Sequence, residues 1–300
     1  MQKRLLLTAV FALALQAHAE GGSNLGSEYQ WQTGEGKVEV TGTLDYYSAT
    51  TKYKSTSTIT ETNTKGLSET VMGEYGLTDM FSAGGWIRNR DWKNEFSPSS
   101  NTSTKYSGFG DLVLFFHGKM DMGTGSFRYG ADINLGLGKQ KQKSNGDLTY
   151  TTGGMGLTPF VGYEMYSNSC TYGARLSHEL ALAHRKREVE GTTTVEHELS
   201  GAEPTELAFF YEHNMQPMIL GAALEFTSVS KEEDKNKSTN TTSKSAGHTS
   251  TALALYVPYE VAENITILPE FKYGKYTAYD SSSIDSVTFW DLSVGGRFAF

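Results

Sequence analysis

The sequence predicts an all-β fold, a transmembrane antiparallel up-and-down β-barrel of about 12 strands with short periplasmic turns and long extracellular loops. Three observations carry that expectation. Apolar and polar residues alternate with period two from near Lys37 to the last residue. The stretches between the alternating segments are short and long in turn. The chain also opens on an export leader yet has one cysteine, Cys170, so no internal disulfide can stabilise it.

Residues 1–19 read as a secretory signal peptide. Lys3 and Arg4 form a positive n-region, Leu5 to Leu15 an apolar h-region, and Ala17, His18 and Ala19 an A-x-A cleavage pattern before Glu20. The apolar run is short for a membrane span. No cysteine at the cleavage point invites a lipid anchor. Residues 20–35 are then a periplasmic N-terminal tail or a segment folded into the lumen, and residues 36–300 form the barrel.

The first barrel segment, 36–48, contains VEVTGTLDY. Val38, Val40, Leu44 and Tyr46 share one face, with Glu39, Thr41, Thr43 and Asp45 on the other. Segments 67–77 and 80–93 are joined by the tight turn after Leu77, and segments 108–120 and 126–138 by DMGTG. In the latter, Phe127, Tyr129, Ala131, Ile133, Leu135 and Leu137 oppose Arg128, Gly130, Asp132, Asn134 and Gly136, a clear strand signal. Segments 154–165 with 170–184, 204–213 with 217–230, and 249–260 with 264–278 make three more short-linked pairs, and 287–300 ends the chain. The long links fall near 49–66, 94–107, 139–153, 185–203, 231–248 and 279–286 and are polar. An even strand count with every short turn at one end places both termini in the periplasm. A soluble β-sandwich also alternates, but the export leader, the missing disulfide and the long loops on one side favour the membrane. There a sheet must close on itself to leave no unpaired edge.

The formal charge is −8 and becomes more negative once Lys3 and Arg4 are removed, which argues against a nucleic-acid partner. Beyond the leader no run of about 18 apolar residues exists, so helical spans are excluded.

With the apolar face toward lipid, the other face lines the lumen. Its acids are Glu39, Asp45, Glu74, Asp111, Asp132, Glu164, Glu179, Glu212, Glu225, Glu270 and Asp291. Its bases are Arg88, Arg90, Arg128, Arg175, Lys272 and Arg297, with His117 beside them. Charge at membrane depth must face water or pair, so the lumen is a wet pore or a paired plug. Twelve strands lie between the filled barrel of about 8 and the open channel of about 16. The leading expectation is a porin-like channel for small solutes through a narrow acidic lumen that favours cations. Two alternatives stay open: a non-conducting surface barrel with adhesive or shielding loops, and an outer-membrane lipid hydrolase.

No catalytic, cofactor or metal constellation supports the enzyme reading. SHEL (177–180) and EHEL (196–199) do not complete H-E-x-x-H. Ser177 and His178 are strand neighbours and point to opposite faces. KEED (231–234) is more simply a solvated loop than a calcium site.

Two stretches carry a resemblance. EYGLTDMFSAGGW (74–86) is a strand, tight turn and strand, and SGFGDLVLFFHGK (107–119) opens a strand with G-x-G-D. Both resemble patterns of the phenol-degradation-like (meta-pathway) transporter and porin family of bacterial outer-membrane barrels. The resemblance implies a periplasmic hairpin, a descending strand, and a channel or transporter for small, apolar solutes. The family's proline-rich motif near the third long loop is absent. The C-terminal SVGGRFAF is similar to the ending of outer-membrane barrels, here Ser293, Gly295, Phe298 and Phe300. That similarity implies recognition by the barrel-assembly machinery. It makes Phe298 and Phe300 part of the lipid face of the last strand.

Overall fold

The computed structural model describes residues 29, 32–54, 61–97, 103–151, 153–191, 194–278 and 284–300. The leader and most of 20–35 lie outside the described residues. Twelve antiparallel strands close into a barrel. They are β1 (Val38–Tyr53), β2 (Glu61–Thr78), β3 (Phe81–Ser97), β4 (Val113–Asp121), β5 (Gly125–Asn134) and β6 (Gly156–Ser167). Next come β7 (Cys170–His178), β8 (Pro204–Asn214), β9 (Ile219–Val229), β10 (His248–Tyr256), β11 (Ile265–Ala278) and β12 (Ile284–Ala299). Each strand pairs with the next, and β12 pairs with β1 in an unbroken register from Ala299 opposite Glu39 to Ser286 opposite Lys52. No sheet edge is therefore left open in the wall.

The short turns are as tight as the sequence predicts. Asp79 and Met80 alone separate β2 from β3. Met122 N donates to Gly125 O at 2.8 Å across the β4–β5 turn, where Gly123 takes φ 79°.

The outer ends differ from expectation. β1, β2 and β3 run 16, 18 and 17 residues, so much of the expected first loop is ladder that stands above the membrane. Cross-strand Thr, Asn, Glu and Lys contacts hold that polar rise, such as Thr64 Oγ1 to Asn94 Oδ1 at 2.7 Å. β5 and β7 stop earlier than the alternation suggested, at Asn134 and His178. His178, which interrupts an apolar face in the sequence, sits at that outer end with Nδ1 2.8 Å from Thr205 Oγ1.

The loops carry structure of their own. Ser103–Phe109 continues β4 upward against β3. Arg185–Val189, Val195–Gly201, Glu232–Asn236 and Thr241–Lys244 form an antiparallel ladder above β7–β10.

Large apolar side chains lie exposed on the outer face of every strand but β3, among them Leu44, Tyr75, Leu114, Val161, Leu176, Leu224, Leu253, Phe271 and Leu292. In water such a band would be a liability; hydrocarbon requires it. Phe298 keeps the outward parity but is only 7 % exposed, unlike Leu292 and Val294 above it.

Candidate functional site

Because side chains alternate across a strand, closure sends the second set of every strand into the lumen. The lumen has two unlike halves.

The side walled by β5–β10 is filled. Arg128 Nε lies 3.0 Å from Glu164 Oε1, and the Tyr166 hydroxyl donates to the same carboxylate. The Tyr256 hydroxyl donates to Glu212 Oε1 at 2.9 Å. Lys272 Nζ reaches Glu225 Oε1 at 3.0 Å from β11, and the Tyr29 hydroxyl donates to that oxygen at 2.8 Å. Tyr29 precedes the barrel in sequence yet lies inside it. Its ring stacks on Phe210 at 5.1 Å and 12°, with Tyr256 at 6.1 Å. Ala208, Ala223 and Ala254 complete this buried cluster, their small side chains leaving room for three rings. Gly221 is required here, since a Cβ would fall 1.9 Å from the Tyr256 ring.

At the periplasmic rim Glu39 and Glu74 are register partners, and buried Arg297 has both as electrostatic neighbours. The segment entering β1 docks on this layer. Thr33 N donates to Glu74 Oε1 at 3.4 Å, and Gly36 N donates to Gly76 O at 2.8 Å.

The side walled by β1–β4, β11 and β12 is open, and its cavity extends to Asp132 of β5, Arg175 of β7 and Tyr256 of β10. It holds a cavity of about 390 Å³, lined by Glu74, Arg88, His117, Asp132, Arg175, Glu270 and Arg297 among charged and titratable groups. Trp86, Phe115, Met72, Tyr256 and Leu268 supply apolar wall, and Thr41, Thr43, Thr70 and Ser293 hydroxyls. Such mixed lining and size suit a small molecule, for which sites run from about 300 to 1,000 Å³. Asp132 Oδ1 lies 3.5 Å from His117 Nε2, and Glu270 lies 3.9 Å from Lys272 Nζ. Arg88 Nε donates to Thr70 Oγ1 at 2.8 Å, and Arg175 lies 4.1 Å over the Phe160 ring.

Above the cavity the lumen is aromatic. Tyr47 stacks on Trp92 at 4.4 Å, and a chain of ring contacts runs from Tyr47 to Phe289, Tyr276 and His248. Arg90 is held between Trp92 at 3.8 Å and Tyr150 at 4.0 Å. Tyr150 comes from loop 139–153, which Asp111 holds inward. Thr151 Oγ1 donates to Asp111 Oδ1 at 2.7 Å and Gly153 N to Oδ2 at 3.3 Å. Asp291 sits opposite Tyr47 in register, with Asp45, Lys272, Arg88 and Arg90 as electrostatic neighbours. Glu179 lies just past the end of β7, where its backbone N donates to Pro204 O at 2.9 Å.

The inward residues named from sequence thus separate into three sets: a packed wall, a cavity, and a rim or loop anchor. Tyr29, Tyr47, Trp86 and Trp92 are not among the inward residues expected from sequence. A signal for three of them existed, because Tyr47 shares the parity of Asp45, and Trp86 and Trp92 that of Arg88 and Arg90. At the C-terminus Phe300 N donates to Val38 O at 2.8 Å and Val38 N to Phe300 O at 3.2 Å, the last rung of closure. Ser293 and Gly295 face inward on β12, opposite Asp45 and Thr43. Among the described residues no group of three or more His, Cys, Asp or Glu is placed to hold a metal ion.

No protein-family model matches the chain, and no curated protein matches it by sequence. Solved structures do. The COG4313 outer membrane channel from Pseudomonas putida F1 is similar over 92 % of this chain and 99 % of that one, with TM-score 0.64 and 12 % identity. The TodX monoaromatic hydrocarbon channel (ΔS2 mutant) aligns over 89 % and 90 % with TM-score 0.49 and 8 % identity. The translocator domain of autotransporter NalP from Neisseria meningitidis aligns over 100 % and 95 % with TM-score 0.45 and 13 % identity. At these identities the likeness is one of fold, that of an outer-membrane β-barrel.

Proposed function

We propose that this barrel is an outer-membrane channel that admits small solutes through a narrow, partly filled lumen. One observation carries the reading: a closed wall with an apolar exterior encloses a cavity of about 390 Å³ beneath an aromatic mouth. A barrel built only to display loops has no use for an unfilled, mixed-polarity interior. The fold's likeness to an outer membrane channel supports the reading. Membrane lipids contact the exposed apolar belt, the leader is removed during export, and the assembly machinery reads Ser293, Gly295, Phe298 and Phe300.

Eleven acids against six permanent bases on the inward face favour an acidic lumen. Five of the eleven are already committed: Glu164 to Arg128, Glu225 to Lys272 and Tyr29, Glu212 to Tyr256, and Glu39 and Glu74 as electrostatic neighbours of Arg297. Charge count alone is therefore a poor guide to what the channel prefers.

The test is planar-bilayer recording of the purified protein, with small, discrete conductance steps expected. Their absence at all salt concentrations overturns the channel reading. A second reading, surface display, has its own observation in the charged ladder formed by 185–201 and 232–244. Deleting 231–248 separates the two: binding to cells or surfaces lost without conductance in the intact protein favours display.

A further inference from the structure

The third strand reads W-x-R-x-R-x-W from Trp86 to Trp92. Every second residue points inward, so Trp92, Arg90, Arg88 and Trp86 form one stripe descending from the mouth into the cavity. We propose that this stripe and Arg175 make the cavity a binding site for small aromatic carboxylates. The inference deepens the channel reading and rests on it for the ligand's route.

Several charges in the cavity are already answered. Arg297 has Glu39 and Glu74 as electrostatic neighbours, Asp132 faces His117, and Glu270 faces Lys272. Among the described residues no carboxylate comes within 4.0 Å of Arg88 or Arg175. Arg88 spends its Nε on a neutral hydroxyl, Thr70, and Arg175 lies over the Phe160 ring. Asp45 and Asp291 are electrostatic neighbours of the stripe but form no ion pair with it at that distance. The forked faces of both guanidiniums are therefore left for a planar anion, which a carboxylate fits in bidentate fashion.

The walls specify the remainder of the ligand. Arg88 lies 5.6 Å from the Trp86 ring centroid, and Phe115 and His117 stack at 4.5 Å. His117 meets Phe160 edge-on at 5.2 Å, which links these rings to Arg175. A flat ring carrying one carboxylate satisfies both kinds of wall. A neutral ring leaves the arginines unanswered, and a cationic ring meets two like charges. Upstream, Arg90 is held between Trp92 and Tyr150, and its buried Nε has no hydrogen-bond partner among the described residues. The same pairing of guanidinium and ring thus recurs on the way in.

The probe is benzoate, titrated by calorimetry into the full-length protein in detergent, with benzamide and benzylammonium as neutral and cationic counterparts. Saturable benzoate binding is expected, with benzamide and benzylammonium at least tenfold weaker. R88Q/R175Q lowers benzoate affinity at least tenfold and leaves benzamide unchanged; R88K/R175K falls between, since the charge stays and the fork is lost. Heat-modifiable migration on gels verifies that each variant is a closed barrel. Equal binding of benzamide and benzoate by the unmodified protein overturns the proposal with no variant needed. So does unaltered benzoate affinity in a folded R88Q/R175Q barrel, or no saturable benzoate binding. Bilayer conductance is read separately: benzoate binding without conductance sinks the channel and keeps the site, and conductance without benzoate binding does the reverse.

Discussion

The two halves of the lumen start from the same rule and end differently. On both sides of the barrel every second side chain points inward, and many carry charge. On the β5–β10 side most charges find a partner and the small residues admit Tyr29, so much of the lumen there is packed by the Arg128–Glu164, Tyr256–Glu212 and Lys272–Glu225 pairs, while Arg175 turns to the cavity. On the β1–β4 side Arg88 and the threonines of β1 and β2 look across open space. Inward charge is thus no measure of pore character; what matters is whether a partner of opposite sign comes within reach across the lumen wall. A buried pair satisfies its own desolvation, and a charge without one remains for water or a solute.

The contrast can be broken at the seam where the open half closes. Deleting Phe300 removes the last β12–β1 rung and the final aromatic of the proposed assembly signal, and is expected to leave little folded barrel in the membrane. Membrane fractionation and heat-modifiable gel migration check it. Unchanged assembly would sink this account of the tail.

The filled half should be the next most sensitive. Arg128→Ala leaves the almost fully buried Glu164 carboxylate without its cation, at a cost of about 3–5 kcal/mol. The drop should appear in the urea midpoint of the protein in micelles. Arg128→Met with Glu164→Leu removes both charges and should recover most of the loss. If the single variant is as stable as the unmodified protein, the pair is not structural.

A smaller change should convert one half toward the other. Tyr29→Ala takes a ring from between Phe210 and Tyr256 and a donor from Glu225. The wall ladders do not depend on it. Single-channel conductance is expected to rise with little change in thermal midpoint. Constant conductance would mean that Tyr29 does not limit the passage.

The smallest effect lies in the loops above the filled half. Lys139 Nζ bridges Glu188 at 2.9 Å and Glu196 at 3.2 Å. These bonds, that to Glu188 first, hold the Lys139 ammonium above the ordinary lysine range, and the Lys139 bond holds Glu188 below the ordinary carboxylate range. Glu188's contribution is present above the carboxylate value of about 4.3 and is lost as pH falls through its lowered one. Lys139's is present below about 10.4 and is lost as pH rises through its raised one. The tie between strand 140–142 and strand 185–189 should therefore hold at neutral pH and loosen below about pH 4. Amide exchange of these segments, corrected for intrinsic rate, is the measurement. Half-molar salt should weaken the tie as well, since the groups are exposed. Equal protection at acid and neutral pH would remove the bridge from the account.

Much of the barrel was legible beforehand because a strand's period is local. The alternation in SFRYGADIN already assigns Arg128 and Asp132 one face and Phe127 and Ile133 the other. The turn DMGTG and the pairing of short with long links follow from residue types that need no partner to act. The heights at which strands end were not legible. β2 begins at Glu61 inside a polar run, because its Thr, Asn and Glu side chains find cross-strand partners on β1 and β3 that no local pattern reveals.

By itself the sequence determined an all-β chain, its twelve alternating segments and the two faces of each, since all of these depend only on neighbours along the chain. Tertiary structure alone decided which charges pair, that Tyr29 lies between Phe210 and Tyr256, that Asp111 draws Tyr150 over Arg90, and that Arg88 and Arg175 share one cavity. The physical reason is register around a closed wall. Charge–charge energies fall steeply with distance in a lumen, and that distance is set by strands far apart in sequence and brought level only by closure.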